Sequence, residues 1–279
     1  MITKTFVSII VLLLGLVIFP GDANLKDWSR EEIWGINKSL IKEHLGQEVL
    51  NNRYPKKIKI IRGLQTVSAE IEYTLDIDLQ DHIEALFNAF NPDYGVFVAL
   101  NPENGEVLAL VNHRRDKQIN DNLALKATYP AASVFKVVTA AAALDLKKLE
   151  ADTIIPFNGK TTTLYKKNVF EHQNNKWTQK YTFSKAFAKS VNTIFARIGV
   201  FLIGQDKLEY YADLFGFNNE LGADFFLDES NFQMVPKDDW GTAELSSGYT
   251  RSTTISPVHG AIIGAVAVNG GYRVEPKIV

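Results

Sequence analysis

The sequence predicts a mixed α/β fold of the α+β type, in which an antiparallel sheet with flanking helices adjoins a mostly helical subdomain. Three observations predict this fold: a helix, then a β-hairpin, then a long helical stretch follow one another along the chain. A chain of 279 residues can bury a sizeable core, with room for one domain and an appendage. The content of 46% hydrophobic and 22% charged residues is that of an ordinary globular protein.

The N-terminus has the pattern of an export signal. Lys4 precedes an uncharged stretch over 6–19, which is short for a membrane span and suited to the hydrophobic part of a signal peptide. Gly21 and Ala23 place small residues before a possible cleavage site. An uncleaved anchor in the inner membrane is the alternative. In either case we expect residues 1–23 to export the rest of the chain, to the periplasm or the outer face of the cytoplasmic membrane.

Residues 24–66 are predicted to form a short membrane-proximal segment, too small to be an enzymatic domain by itself. Ser29-Arg30-Glu31-Glu32 is a capping box, and apolar residues then recur at helical spacing as far as Leu45. The basic run Pro55-Lys56-Lys57-Ile58-Lys59 is interpreted as a solvated connector, with a position near anionic lipid as the alternative.

The main domain, residues 67–279, is predicted to begin with a helix and a hairpin. Asp76 or Asp78 can cap a helix that runs through Phe90. Gly105 can take the left-handed position in the turn of the hairpin. The two predicted strands are 94–100 and 106–111, and the turn between them is 101–105. Further helices are expected near 134–146, 184–189, 193–203 and 206–215.

The strongest chemical signal is Ser133-Val134-Phe135-Lys136, at the start of a long apolar run. A serine alcohol is a poor nucleophile and needs a base beside it. Residues three apart share a helix face, so the Lys136 amine can reach the Ser133 hydroxyl. Burial lowers the pKa of an amine and lets it accept a proton. The same spacing occurs in Ser39-Leu40-Ile41-Lys42, which we interpret as ordinary helix surface.

A second element, Ser190-Val191-Asn192, interrupts two apolar helical stretches. A serine at that break can relay a proton, and an asparagine can bond a substrate amide on both edges. Structural alternatives exist for both elements. Ser133 and Ser190-Val191-Asn192 can be helix caps, and Lys136 can extend to water.

Composition argues against several other classes of function. The net charge is −2, and we see no basic cluster interleaved with aromatic residues, so we predict no nucleic-acid partner. Cysteine is absent, which excludes disulfides and thiolate metal sites. The five histidines show no spacing typical of a metal site, and we predict neither a metal nor a cofactor. They are His44, His82, His113, His172 and His259.

The chain resembles the transpeptidase domain of penicillin-binding proteins over roughly residues 67–279, and Ser-x-x-Lys followed by Ser-x-Asn opens the active-serine motif set of that superfamily. Five segments carry the resemblance in the right order. They are the opening Ile71-Glu72-Tyr73-Thr74-Leu75-Asp76-Ile77-Asp78-Leu79-Gln80, the hairpin 95–109, the nucleophile helix 129–144, the Ser-x-Asn segment 186–199 and the later helix and turn 256–276.

The resemblance implies a peptidoglycan D,D-transpeptidase or D,D-carboxypeptidase. Ser133 would attack the penultimate D-alanine carbonyl of a stem peptide, and Lys136 would take its proton. Ser190 would pass a proton to the leaving amine, and Asn192 would hold the substrate's peptide bond. β-Lactam antibiotics would acylate Ser133. The implied partners are peptidoglycan stem peptides, β-lactams and other cell-wall synthesis proteins.

Two departures from the family pattern stand out. Ala132 occupies a position where many relatives have glycine, and no Lys-Thr-Gly follows Asn192. The nearest match, Lys160-Thr161-Thr162, lacks the glycine and precedes Ser190. We therefore expect a C-terminally incomplete transpeptidase domain that lacks part of its sheet and is poorly active and unstable by itself. A serine β-lactamase and a non-catalytic β-lactam sensor or degenerate scaffold are the alternative functions.

Overall fold

Helices and short antiparallel strand pairs alternate through the computed structural model, which describes residues 37–62, 65–116, 121–171 and 173–279. The α-helices of these residues are α1 (Lys38–Leu50), α2 (Ile77–Phe90), α3 (Lys136–Asp145), α4 (Lys166–Phe170), α5 (Phe183–Ala188), α6 (Asn192–Ile198), α7 (Gln205–Leu214), α8 (Asp239–Ser246) and α9 (Pro257–Val268). The predicted mixture of antiparallel strands and helices is confirmed.

The strands pair in twos, and each pair is antiparallel. They are β1 (Lys57–Arg62) with β2 (Gln65–Glu70), β3 (Tyr94–Leu100) with β4 (Val107–Arg114), β5 (Tyr129–Pro130) with β8 (Thr254–Ile255), and β6 (Ile154–Phe157) with β7 (Gln179–Thr182). The pairing of β5 with β8 joins the lead-in to Ser133 to a segment more than a hundred residues later in the chain.

The interpretation of residues 55–59 as a solvated connector is wrong. Lys57–Arg62 is a strand that pairs along its whole length with Gln65–Glu70. Ile58 and Ile60 are buried while Lys59 between them is exposed, which is the alternation of a half-buried strand. The sequence has this period of two, but the density of lysines favours a charged connector over a strand.

In the part of the chain that the structure describes, helix α1 begins at Lys38, within the stretch for which the sequence predicts helical spacing. Asn37 caps it, because its Oδ1 accepts the N–H of Leu40 at 3.0 Å. The capping box at Ser29 and the hydrophobic leader lie outside the described residues. Among the described residues, no helix is long and apolar enough to span a membrane.

The helix predicted as far as Phe90 and the hairpin predicted over 94–111 are confirmed. Asp76, one of the two predicted caps, accepts the N–H of Leu79 at 3.0 Å at the start of α2. Gly105 has the left-handed conformation predicted for the turn, with φ 78°. The last residues of the chain extend this hairpin, since the N–H of Val107 donates to Lys277 O at 2.9 Å.

Helices α3 and α6 lie in the main hydrophobic core, where Phe135 and Phe195 are almost fully buried. The helix predicted at 134–146 is a 3₁₀ turn over Ala132–Phe135 followed by α3. The helix predicted at 193–203 is α6 followed by a π-helical turn over Gly199–Ile203. The packing of Gly199 explains its lack of a side chain, because a Cβ there would meet Ser246 Oγ at 2.2 Å.

Candidate active site

Ser133 and Lys136 meet at the junction between the 3₁₀ turn and α3. Ser133 is exposed on the turn, whereas Lys136, the first residue of α3, is only 1% exposed. The Lys136 Nζ donates to Ser133 Oγ at 2.8 Å. The predicted contact between the two side chains is therefore present, and the lysine that makes it is buried.

Distant backbone segments hold the turn before Ser133 in place. The N–H of Ala131 donates to Thr253 O at 2.9 Å. Gly248 packs so closely that a Cβ on it would stand 1.9 Å from Ala132 O. Ala132 itself has φ 46°, in the left-handed region that glycine adopts without strain. That conformation gives a physical reason for glycine at this position in many relatives.

Burial gives Lys136 the character of a base. Desolvation lowers the pKa of its amine from 10.5 to about 8, because the surrounding protein disfavours the charged form. Its nearest hydrogen-bond partners, Ser133 and Asn192, are uncharged, and the Phe195 ring centroid lies 5.8 Å from its Nζ. The amine therefore exchanges its proton near neutral pH, as a general base must.

Ser190 comes to the same point from the break between α5 and α6. Its Oγ donates to Ser133 Oγ at 3.0 Å. Ser190 has φ 50°, a left-handed conformation that turns the chain between the two helices. The hydroxyl of Ser133 thus lies between the Lys136 amine and the Ser190 hydroxyl.

Asn192 is bonded on both edges of its amide by the protein itself. Its Oδ1 accepts from Lys136 Nζ at 2.8 Å, and its Nδ2 donates to Thr162 O at 2.8 Å. Its backbone N–H donates to Thr161 O, also at 2.8 Å. An amide has a second acceptor site and a second N–H, so a substrate can still bond to this side chain.

The carbonyls of Thr161 and Thr162 are parts of the site that sequence reasoning missed. In the sequence, Lys160-Thr161-Thr162 is only an imperfect match to a third motif. Its threonines instead contact Asn192 through backbone atoms, for which the sequence has no signal. The structure brings together all four predicted site residues and adds this turn and Gly248 around them.

Comparisons with known proteins identify the family of the chain. The family profile of the penicillin binding protein transpeptidase domain matches residues 95–279. Stage V sporulation protein D of Bacillus subtilis is 28% identical over 231 residues, covering 76% of this chain and 34% of the relative. Peptidoglycan D,D-transpeptidase PbpA of Mycobacterium tuberculosis is 29% identical over 222 residues, covering 68% of this chain and 44% of the relative. The chain thus spans less than half the length of these curated relatives.

Solved structures show the same similarity. Penicillin-binding protein A of M. tuberculosis, as a penicillin G acyl-enzyme complex, matches with a TM-score of 0.57 and 27% identity, over 75% of this chain and 54% of that one. Its ceftriaxone acyl-enzyme complex matches with a TM-score of 0.58 and 25% identity, over 84% and 56%. The family profile covers well over half of the 279 residues, and this chain belongs to the penicillin binding protein transpeptidase domain family.

Proposed function

We propose that this chain is the acyl-transfer part of a peptidoglycan D,D-transpeptidase that works outside the cytoplasm through an acyl-enzyme on Ser133. The observation that carries the proposal is the placement of the Ser133 hydroxyl between a buried amine and a second hydroxyl. The names of the relatives support the substrate class, since one is a peptidoglycan D,D-transpeptidase. The β-lactam acyl-enzyme complexes of a similar protein support the covalent chemistry.

The first step uses Lys136 as the base. Its neutral amine takes the proton of the Ser133 hydroxyl while Oγ attacks the carbonyl carbon of the penultimate D-alanine. The developing oxyanion needs donors in place. The N–H of Ser133 lies at the start of a 3₁₀ turn, where backbone N–H groups lack intrahelical partners, and we assign it as one of these donors.

The second step breaks the peptide bond. The Ser190 hydroxyl gives its proton to the leaving amine of the terminal D-alanine, and Lys136 passes the proton that it took from Ser133 to the Ser190 oxygen. The products are free D-alanine and an ester on Ser133. The amine of a neighbouring stem peptide then attacks the ester, forming the cross-link and returning the proton to Ser133. Water in place of that amine gives carboxypeptidase activity.

Asn192 has a positioning role in this mechanism as well as a substrate contact. The Asn192 Oδ1 fixes the Lys136 Nζ beside Ser133 without adding a charge that would raise the lysine pKa. The turn at Thr161 and Thr162 fixes the amide in return.

The test is covalent labelling of the 279-residue chain by penicillin, measured as intact mass. We expect a single stable adduct that Ser133→Ala removes and Ser39→Ala leaves in place. Folded protein without an adduct would contradict the proposal. Rapid loss of the adduct with hydrolysed penicillin as product would favour a serine β-lactamase instead.

A further inference from the structure

Residues 160–189 form a strongly basic stretch of a chain that is slightly acidic overall. Residues 160–189 contain seven lysines, no arginine and one acidic residue, Glu171, a net charge of +6. The whole chain has a net charge of −2, so the remaining residues carry −8. The expectation that no basic cluster is interleaved with aromatic residues is therefore wrong for this stretch, because the charge of the whole chain conceals it.

All seven lysines are exposed, and the surface of residues 160–189 that carries them is called the lysine face. They are Lys160, Lys166, Lys167, Lys176, Lys180, Lys185 and Lys189. Within the described part of the chain, no carboxylate forms an ion pair with any of them. Glu244 on α8 is close enough for Lys166 to lower its pKa, although burial raises that pKa by more. The face thus presents positive charge to the solvent with little compensation from the protein.

Exposed aromatic rings lie among these lysines. Tyr165 is 60% exposed and Trp177 is 73% exposed. The Lys176 Nζ lies 5.1 Å from the Trp177 ring centroid. Flat rings beside cationic groups suit a ligand that alternates apolar sugar faces with negative charges.

The lysine face reaches the candidate active site at two points. Lys160 directly precedes Thr161, whose carbonyl holds the Asn192 N–H, and Lys189 directly precedes Ser190. On β7, Lys180 alternates with Tyr181, whose ring packs on the buried Phe157. Lys180 therefore lies on the solvent side of that strand.

We propose that the lysine face docks the carboxylate-rich peptides of a peptidoglycan strand, with the sugar rings of the strand against Tyr165 and Trp177. This proposal rests on the proposed function, because that function makes peptidoglycan the substrate that must reach Ser133. Peptide carboxylates are the anions that such a strand offers, and ammonium groups attract them over about 10 Å at 0.1 M salt. Each exposed pair is weak, so several lysines must act together.

The test is co-sedimentation of the full chain with purified cell-wall sacculi at low salt. The variant replaces Lys166, Lys167 and Lys180 by glutamine, and the matched control replaces the exposed Lys148, Lys207 and Lys237 in the same way. We expect the first variant to bind roughly tenfold more weakly and the control to bind like the parent chain. Thermal unfolding of each variant verifies its fold.

Treatment of the sacculi identifies the anion. Acid removal of phosphodiester polymers should leave binding intact, and carbodiimide amidation of the wall carboxylates should abolish it. Equal loss of binding in both lysine variants, or binding that survives amidation, would overturn the proposal. Tighter binding to anionic lipid vesicles or single-stranded DNA than to sacculi would also overturn it.

The two proposals fail in distinguishable ways. Penicillin labelling of the parent chain tests Ser133 without any wall polymer, so a missing adduct counts against the proposed function alone. If the chain binds wall carboxylates through these lysines but forms no adduct, the docking proposal stands and the proposed function fails. If the chain forms the adduct but its wall binding does not depend on the lysines, the proposed function stands and the docking proposal is refuted.

Discussion

Two copies of Ser-x-x-Lys in this chain have the same spacing and different surroundings. At Ser39 and Lys42 the lysine is 29% exposed in its side chain and forms an ion pair with Glu220 at 3.5 Å. At Ser133 and Lys136 the lysine is 1% exposed and bonds uncharged partners. Helical spacing brings a serine and a lysine close, but burial without a carboxylate partner makes the lysine a base.

The largest difference between the two copies should appear in acylation by penicillin. We expect Lys136→Ala to slow acylation of Ser133 about 10² to 10⁴-fold, because the general base is lost. Lys42→Ala should react at the parental rate. Stopped-flow acylation kinetics measure both, and comparable rates in the two variants would contradict the distinction.

A carboxylate placed beside Lys136 should keep its amine charged, as Glu220 pairs with the charged amine of Lys42. In Asn192→Asp the new charge would stand where Oδ1 now accepts from Lys136 Nζ. An opposite charge at this range raises the lysine pKa by about 1 to 3 units, so acylation at pH 7 should fall about 10- to 1000-fold. The rate should recover at higher pH, which separates this effect from simple misfolding. A loss that is independent of pH would refute it.

A substitution at Gly248 tests whether close backbone packing holds the turn that carries Ser133 in place. In Gly248→Ala the new Cβ would clash with Ala132 O, and the φ of +66° is strained for alanine. We expect acylation to fall at least about tenfold, since the turn that carries Ser133 must shift. The matched control is Gly264→Ala in α9, where the new Cβ meets open space and should stabilise the helix by roughly 0.5–1 kcal/mol.

The smallest expected effect is on stability. Lys136 has a pKa of about 8 in the folded chain against 10.5 in the unfolded chain, so the unfolded state binds more protons between these values. Stability should therefore rise with pH from about 8 to 10.5 and carry the full penalty below 8. We expect Lys136→Met to raise the free energy of unfolding at pH 7 by about 1–3 kcal/mol. Urea unfolding measures it.

Lys42→Met provides the comparison for that measurement. Its partly exposed ion pair contributes about 0–1 kcal/mol, so its removal should lower the free energy of unfolding slightly or leave it unchanged. A destabilised Lys136→Met variant would show that the buried amine is held for stability and not for chemistry.

Local signals predicted much of the fold and most of the site. The cap at Asp76, the turn at Gly105 and the serine, lysine and asparagine side chains are all encoded within a few residues of chain. The sequence predicted a helix over 193–203 but not its change to a π-helical turn at Gly199, where the backbone packs closely against Ser246.

What escaped prediction depends on backbone atoms and on distant segments. The residue types of Thr161 and Thr162 do not indicate that their backbone carbonyls accept hydrogen bonds from Asn192. Nothing in Gly248 indicates that it contacts Ala132. The strand Lys57–Arg62 was not predicted, although its apolar residues alternate. Its lysines favoured a solvated connector instead. Charge counted over the whole chain likewise concealed the lysine face.

The most direct test of the central claim is the pH profile of penicillin acylation in the parent chain. With Lys136 as the base, the second-order rate constant should rise about tenfold per pH unit from pH 6 and level off near the lysine pKa of about 8. Lys42→Met should give the same profile. A rate that is flat from pH 6 to 9, with the adduct still on Ser133, would show that Lys136 does not activate the serine.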